Sequence, residues 1–306
     1  MTRATKTGRV KLVSLLLVSV LSVLSAVSCG ADGRSVSYED IPPYTGEPYT
    51  VINGNKPFFT REEITDRAYE SYSRLDALGR CGVAMACVGR EIMPTEERES
   101  LSAVNPTGLV YKGRSNNNKY SFIDGIYVYN RCHLIGFQLT GENANEKNLI
   151  TGTRYFNIEG MLPFENMVAD FVHESGEHVM LRVTPYYLDY DYVARGVLME
   201  GYSVEDRGEE ICFCVFVYNV QPGVVIDYYT GENKLDPESG HKEEEVTYAL
   251  TYVLNINSRK YHLPDCYHAE NMKEEYRINY DGSVAEFKVV HRGYAPCGIC
   301  KPDEYR

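Results

Sequence analysis

The stretch that decides the fold is YVYNRCHLIGFQLTGENANEKNLITGTRYFNIEGMLPFENM, residues 127–167. A short apolar run ends at His133, and a segment rich in asparagine follows it. From Pro163 to His173 apolar side chains then recur at the three- and four-residue spacing of an amphipathic helix. Pro163 suits the first turn of that helix, because proline has no backbone N–H to leave unpaired there. The stretch therefore predicts a strand, a polar segment and a helix around one histidine.

The chain after this helix has the composition of β-structure. Apolar and aromatic runs separated by charged or glycine-containing turns predict strands in four segments, 178–188, 192–204, 210–220 and 223–230. We therefore predict an α+β fold whose core is mainly an antiparallel sheet.

The region before residue 127 predicts one helix and one strand. Thr60 has the character of a helix N-cap, with Glu62 and Glu63 in the first turn, and the spacing of apolar residues predicts a helix to about Arg74. The small residues of CGVAMAC, 81–87, predict a closely packed strand.

The N-terminus has the layout of an export signal. Four basic residues precede an apolar stretch, and small residues lead to Cys29. We predict a signal over residues 1–29 that ends in a lipobox, with Cys29 acylated and the protein attached to the outer face of the membrane. Cleavage near this position without lipidation is the alternative. Residues 30–46 are polar and predict a tether.

The exported chain is strongly acidic. Removal of residues 1–28 takes away four basic and no acidic residues, which leaves 27 basic and 43 acidic side chains and a formal charge of −16. A chain with this charge does not bind nucleic acid through its overall field, so a site for a polyanion needs local cations such as a metal ion.

Nine cysteines are many for an exported chain. The sequence allows Cys81 and Cys87 to pair with each other, whereas Cys212 and Cys214 share one face of a predicted strand and are expected to pack as small apolar residues. The remaining positions are Cys29, Cys132 and three cysteines near the C-terminus.

The central stretch resembles the DNA/RNA non-specific endonucleases, in particular the streptococcal secreted DNases of the streptodornase type and the DNA-entry nucleases. The resemblance covers about residues 47–232 and includes the motifs LDALGR, NRCHLIGFQLTGENANEKNLITGTRYFN and MLPFENMVAD. That family has a ββα-metal (His-Me) finger with an Asp-Arg-Gly-His motif. The resemblance thus implies an endonuclease domain at residues 47–235 and DNA, or DNA and RNA, as the substrate.

The family pattern can be carried to this chain residue by residue. His133 occupies the position of the motif histidine, with Asn130 in place of the aspartate and Cys132 in place of the glycine. Two asparagines nine residues apart follow, and then an acid eight residues further on. These residues are Asn148, Asn157 and Glu165.

The resemblance and the chemistry of phosphodiester hydrolysis suggest the same roles. A neutral histidine is a suitable base for activating water, so His133 is the predicted general base. The side-chain carbonyl of Asn157 is a hard oxygen ligand for Mg²⁺, or for Mn²⁺ in its place. Glu165 is expected to bind the water shell of the metal, and Asn148 to hold the finger together. Arg80 is a candidate clamp for phosphate.

A cysteine nucleophile is not expected in this motif. Cys132 and His133 are adjacent on a predicted strand, so their side chains point to opposite faces and cannot cooperate.

An acidic linker at residues 236–250 leads to a C-terminal module at residues 251–306, for which strands from Tyr252 and a helix near 269–277 are expected. Its layout resembles the Ada-type metal-binding module, and a His-x3-Cys and a Cys-x2-Cys pair provide four zinc ligands. The ligands are His262, Cys266, Cys297 and Cys300. A disulfide between the last two cysteines is the alternative, and His268 is an alternative ligand.

The sequence thus predicts an exported, metal-dependent endonuclease with Mg²⁺ at the nuclease site and structural Zn²⁺ in the C-terminal module. Nucleic acid is the predicted partner, with a membrane contact through lipidated Cys29 and no obligate protein partner. Two other classes remain open: a catalytically inactive nuclease fold that binds DNA at the cell surface, and a zinc-stabilised structural lipoprotein.

Overall fold

The computed structural model describes residues 36–241, 250–264, 266–282, 293–300 and 302. The predicted export signal, Cys29 and most of the predicted acidic linker lie outside the described residues. The domain boundaries stay predictions. Among the described residues, no helix has the length and hydrophobicity needed to cross a bilayer.

The elements are numbered in chain order. The strands are β1 (Tyr49–Val51), β2 (Tyr69–Tyr72), β3 (Ala84–Val88), β4 (Val110–Tyr111), β5 (Arg114–Ser115), β6 (Tyr129–His133), β7 (Leu149–Thr153), β8 (Val179–Tyr186), β9 (Gly196–Ser203), β10 (Cys212–Tyr218), β11 (Val224–Ile226), β12 (Asn233–Leu235), β13 (Leu250–Asn255), β14 (Lys260–His262), β15 (Arg277–Gly282) and β16 (Ala295–Pro296). The α-helices are α1 (Phe137–Thr140), α2 (Leu162–Ser175) and α3 (Tyr267–Glu270). A π-helical turn, Phe156–Met161, precedes α2.

The main sheet has six antiparallel strands in the order β1-β10-β9-β8-β3-β2. Alternate side chains of β10 serve two cores, because successive residues of a strand point to opposite faces. Phe213 and Val215 pack in the core that also contains Val168 of α2. Cys214 and Phe216 pack in a second core, which the segment around Tyr38 helps to cover. The α+β prediction with an antiparallel sheet is confirmed.

The finger consists of β6, β7, the π-helical turn and α2. β6 pairs with β7 in antiparallel register, with Asn130 opposite Gly152 and His133 opposite Leu149. Helix α2 buries Phe164, Val168 and Val172, as the sequence spacing predicted. It ends at Gly176, whose φ of 76° is the left-handed conformation that glycine adopts at helix ends.

The helix predicted from Thr60 to about Arg74 is wrong. Glu63 does accept a hydrogen bond from the backbone N–H of Thr60, as in a helix cap, but the chain makes only one turn there. The following residues form β2, in which Tyr69 pairs with Cys87 of β3. Pairing along the sheet edge thus overrides the local helical preference of this segment.

The pairing of Cys81 with Cys87 that the sequence allowed does not form, because both side chains are buried free thiols. The thiol of Cys81 contacts the carbonyls of Glu146 and Leu149, and that of Cys87 contacts the carbonyl of Thr65. Cys214 is buried and Cys212 is half-buried, and both are free.

The C-terminal module has a four-stranded sheet in the order β15-β13-β14-β16. β13 pairs antiparallel with β14 and β15, whereas β14 and β16 run parallel. In place of the single helix expected near 269–277, the structure has the short helix α3 and a 3-10 turn, Glu274–Tyr276.

Candidate active site and metal centre

His133 is the last residue of β6, and its imidazole is buried, with 6% of its surface exposed. Its Nε2 lies 2.9 Å from the carbonyl oxygen of Asn143. Because a carbonyl only accepts, Nε2 carries the proton and the lone pair of the neutral ring is at Nδ1. Burial lowers the pKa of His133, an effect that the Asn143 carbonyl opposes. The ring is therefore neutral at neutral pH, the state that a general base requires.

Asn148 is fully buried and joins the two ends of the finger. Its side-chain oxygen accepts a hydrogen bond from the backbone N–H of Ile135 at 2.9 Å, and its amide donates to the Ile135 carbonyl at 3.0 Å. The backbone N–H of Leu134 also donates to the Asn148 carbonyl. Both functional groups of this side chain thus hold the segment after His133 in place.

Asn157 lies in the π-helical turn before α2 and lines a cavity of about 640 Å³. Residues from the finger and from the segment 98–102 surround this cavity. The residues that line the cavity include Arg98, Tyr127, Asn130, Arg131, Arg154 and Asn157, together with four residues of the C-terminal module. Neither His133 nor Glu165 is among the lining residues, and both side chains are buried.

Asn130 offers an unsatisfied acceptor at the same cavity. Its amide donates to the Tyr129 carbonyl, whereas its buried Oδ1 has no hydrogen-bond partner. A buried acceptor without a partner costs free energy, so such a group commonly marks the place of a ligand, a water molecule or an ion. With Asn157, it gives a set of neutral oxygens that fits a Mg²⁺ ion retaining most of its water ligands.

Glu165 lies in the first turn of α2 and is 9% exposed. Burial raises the pKa of its carboxyl group to about 7, although the charge of Arg98 and a hydrogen bond from the backbone of Gly136 act in the opposite direction. This carboxyl group therefore titrates near neutral pH and packs against the chain three residues after His133.

Arg98 is a residue of the site that sequence reasoning missed. Its charge acts on both His133 and Glu165, and it lines the cavity. Its neighbour Glu99 is tied to the finger, because the backbone N–H of Glu99 donates to Oδ1 of Asn143. The polar run around Arg98 has no periodicity or motif, so only the tertiary fold identifies this cation.

Arg80 does not line the cavity, and the N–H groups of its guanidinium form hydrogen bonds within the fold. Its Nε donates to Asp76 at 2.7 Å, and Nη1 donates to the carbonyls of Asp189 and Asp191. The guanidinium also lies 4.6 Å from the ring centre of Tyr187. The phosphate-clamp interpretation of Arg80 is therefore corrected, because its charge-assisted hydrogen bonds connect loops of the fold.

Arg131 and Arg154 are the other cations of the cavity. Arg131 donates to the carbonyl of Val104, and Arg154 pairs with the exposed carboxylate of Asp124. The Nε of Arg154 is buried without a hydrogen-bond partner. These side chains add positive charge beside Asn157 in a protein that is acidic overall.

Cys132 packs in the main core and is fully enclosed. Burial raises the pKa of its thiol far above the ordinary range, so a thiolate does not form at this position. This agrees with the prediction that Cys132 and His133 do not form a catalytic pair.

The C-terminal module brings four metal-binding side chains together. The ligand atoms of His262, Cys266, Cys297 and Cys300 all lie within 4.8 Å of one another, and all four residues are buried. Tetrahedral zinc with Zn–S distances of about 2.3 Å would place its ligand atoms about 3.8 Å apart. The thiol of Cys266 is 3.4 Å from Nδ1 of His262, so the cluster fits a zinc ion.

Local hydrogen bonds favour a thiolate in this cluster. Burial alone would raise the pKa of Cys297, but backbone N–H groups of Cys300 and Ile299 outweigh it and lower that pKa. The disulfide alternative is not what the structure shows, since Cys297 and Cys300 are both free. His268 is exposed and is not part of the cluster.

Comparison with known proteins finds a matching family model and similar solved structures. Residues 60–205 match the family model described as DNA/RNA non-specific endonuclease. NucA from Streptococcus agalactiae, solved with a magnesium ion bound, is similar with a TM-score of 0.55 and 22% identity, over 65% of this chain and 93% of that one. Sda1 nuclease, solved with a bound zinc ion, has a TM-score of 0.53 and 26% identity, over 62% of this chain and 97% of that one. No curated protein sequence matches the chain.

Proposed function

We propose that the chain is an exported, Mg²⁺-dependent endonuclease that hydrolyses phosphodiester bonds of DNA, or of DNA and RNA, because residues 60–205 match the family model described as DNA/RNA non-specific endonuclease. The observation that supports the proposal is the finger. Its His133 is buried, neutral and bonded to Asn143, and the cavity next to β6 and the π-helical turn is lined by Asn157, by Asn130 with its unpartnered Oδ1, and by three arginines.

We assign the metal to Asn157 and Asn130. A bound Mg²⁺ would stabilise negative charge on the phosphate and on the leaving oxygen. Glu165, about half protonated at pH 7, would accept or donate hydrogen bonds to the water around the ion. Asn148 acts through position, because it fixes the backbone that follows His133.

In the proposed reaction His133 removes a proton from the attacking water at Nδ1, while Nε2 stays bonded to Asn143. Arg98, Arg131 and Arg154 hold the phosphate in the cavity by charge-assisted hydrogen bonds. The resulting hydroxide forms a bond to phosphorus as the bond from phosphorus to the 3′ oxygen breaks, and the 3′ oxygen takes a proton from solvent water. The products carry a 5′-phosphate and a 3′-hydroxyl.

Export is proposed from the basic and apolar N-terminal residues that end at Cys29. Acylation of Cys29 would hold the enzyme at the outer face of the membrane. Structural zinc in the C-terminal module is proposed from the four clustered ligands.

The test is digestion of plasmid DNA and of RNA by residues 30–306, with and without Mg²⁺, beside His133→Ala and Asn157→Ala. Matched controls are His173→Ala and Asn166→Ala, which change exposed residues of α2. We expect cleavage that needs Mg²⁺ and falls at least a hundredfold in the two site variants but not in the controls. A chain that binds DNA without cleaving it would instead be the inactive, DNA-binding form of the fold.

A further inference from the structure

Arg98 belongs to an irregular segment, residues 94–105, which we term the strap. The structure describes every residue of the strap, and none belongs to a helix or a strand. Regular backbone pairing therefore does not fix the position of Arg98, and the contacts between the strap and the finger must do so.

Two of these contacts lie near the ends of the strap. Pro94 packs against Gly141, since its Cα lies 3.5 Å from the point where a Cβ atom of Gly141 would be. At the other end, Nε of Arg131 donates a hydrogen bond to the carbonyl of Val104 at 2.6 Å. The two contacts are four and six residues away from Arg98, and in an irregular chain this distance leaves the middle of the strap free to move.

A third contact holds the middle of the strap, and it comes from Asn143. The backbone N–H of Glu99, the residue next to Arg98, donates to Oδ1 of Asn143 at 2.8 Å. The backbone carbonyl of the same asparagine lies 2.9 Å from Nε2 of His133. One residue thus binds the imidazole through its backbone and the strap through its side chain. The charge of Arg98 acts on His133, as expected if the two lie close together.

The charges of the strap make this contact important for a polyanionic substrate. Besides Arg98 the strap contains three glutamates, at positions 96, 97 and 99, so its formal charge is −2. Arg98 and Glu99 both line the cavity, so a small shift of the strap changes which of the two charges a phosphate meets. A strap free to move would on average repel the phosphate, whereas a fixed strap can hold its one cation towards it.

We propose that Asn143 is a positioning residue that binds the strap through its side chain and so holds Arg98 in a fixed place relative to His133. Asn143 is not among the described residues that line the cavity, so it acts on the substrate through Arg98. The inference rests on the proposed function for the phosphate-binding role of Arg98, and it adds the residue that places this cation.

The test is a cycle of three variants: Asn143→Ala, Arg98→Ala and the two together. Alanine at position 143 keeps the backbone carbonyl that binds His133 and removes the acceptor of the strap. Fluorescence anisotropy in EDTA gives the affinity for a short labelled DNA duplex over a range of salt concentrations. Asn145→Ala is the matched control, because its side chain also accepts one backbone hydrogen bond, but from Lys147 in its own loop.

We expect Asn143→Ala and Arg98→Ala each to weaken duplex binding about tenfold. Each should also reduce the slope of log Kd against log salt concentration by about 0.9, the value for one phosphate contact. The double variant should bind no more weakly than Arg98→Ala alone, because both substitutions remove the same contact. Asn145→Ala should leave the affinity and the slope unchanged.

A purely structural role of Asn143 gives a different pattern. It would lower the midpoint of unfolding without changing the salt slope, and its effect on affinity would add to that of Arg98→Ala. An unchanged slope in Asn143→Ala, or additive losses of affinity in the double variant, would overturn the proposal.

Hydrogen exchange at the Glu99 amide tests the contact without any nucleic acid. Exchange should become at least tenfold faster in Asn143→Ala and stay at the wild-type rate in Asn145→Ala, and equal rates in the two variants would also overturn the proposal. Failure of the proposed function has its own result, namely a wild type that does not cleave plasmid DNA in Mg²⁺ while exchange at Glu99 and the shared loss of affinity still follow Asn143.

Discussion

The backbone N–H of Gly136 donates a hydrogen bond to the buried carboxylate of Glu165 and so joins the chain after His133 to the first turn of α2. A Cβ atom at position 136 would lie 2.8 Å from all three atoms of that carboxyl group. No side chain larger than hydrogen fits there without displacing Glu165. The position of the acid beside the site thus depends on one glycine.

Gly136→Ala is therefore expected to reduce cleavage at least tenfold, because Glu165 must move away from the position in which the proposed mechanism uses it. Single-turnover cleavage at saturating Mg²⁺ measures the effect. Gly298→Ala is the control, since nothing lies within 4 Å of a Cβ there. Wild-type activity in Gly136→Ala would show that the position of Glu165 is unimportant.

Glu165 also predicts how stability changes with pH. Its pKa is near its ordinary value of 4.5 in the unfolded chain and about 7 in the folded protein, so the folded state keeps a proton that the unfolded state releases. This proton contributes on the order of 3 kcal/mol to the free energy of unfolding. The contribution is fully present below pH 4.5 and is lost as the pH rises through 7.

Glu165→Gln should remove this pH dependence, since glutamine carries no titrating proton. Urea unfolding in metal-free buffer should find the variant more stable than the wild type at pH 8 and similar to it at pH 4.5. If the difference in stability between Glu165→Gln and the wild type were the same at pH 4.5 and pH 8, the pKa of Glu165 would not be raised.

Asn148→Ala is expected to destabilise the protein by about 2–3 kcal/mol, because it removes two hydrogen bonds and leaves the buried backbone groups of Ile135 unpaired. Thermal or urea unfolding measures the loss. Asn166→Ala removes an exposed asparagine of α2 and should change stability by less than about 0.5 kcal/mol. Comparable effects from the two substitutions would contradict the joining role of Asn148.

Arg98 and Arg80 should respond in opposite ways to substitution by alanine. Arg98 is exposed at the cavity, so its loss should raise the KM for nucleic acid about tenfold with little change in stability. Arg80 bonds Asp76 and two carbonyls, so its loss should cost about 1–2 kcal/mol of stability and leave KM unchanged. The reverse pattern would restore Arg80 as the phosphate clamp.

The elements that sequence reasoning predicted correctly are those with a local signal. Helix α2 has clear helical spacing with Gly176 at its end, and the four Cys and His side chains that cluster in the C-terminal module have fixed spacing within each pair. The wrong helix after Thr60 also has a local signal, the cap formed with Glu63. In that segment the pairing of β2 with β3 determines that a strand forms in place of a helix, and the local sequence has no pattern that predicts this pairing.

The same distinction applies to the site. Asn148 bonds the backbone of Ile135, which is only 13 residues away and lies in the same motif. Arg80 is held by carbonyls 109 and 111 residues away, and Arg98 acts on a finger that begins about 30 residues later. Such long-range contacts depend on the packed fold, so a single sequence does not reveal them.

The role of His133 as the general base can be tested by plasmid cleavage with His133→Ala in Mg²⁺, with and without added imidazole. We predict that the cleavage rate falls about 10²–10⁴-fold. Added imidazole should restore part of the rate, in proportion to the fraction of imidazole that is unprotonated. Wild-type cleavage by His133→Ala without imidazole would contradict this role.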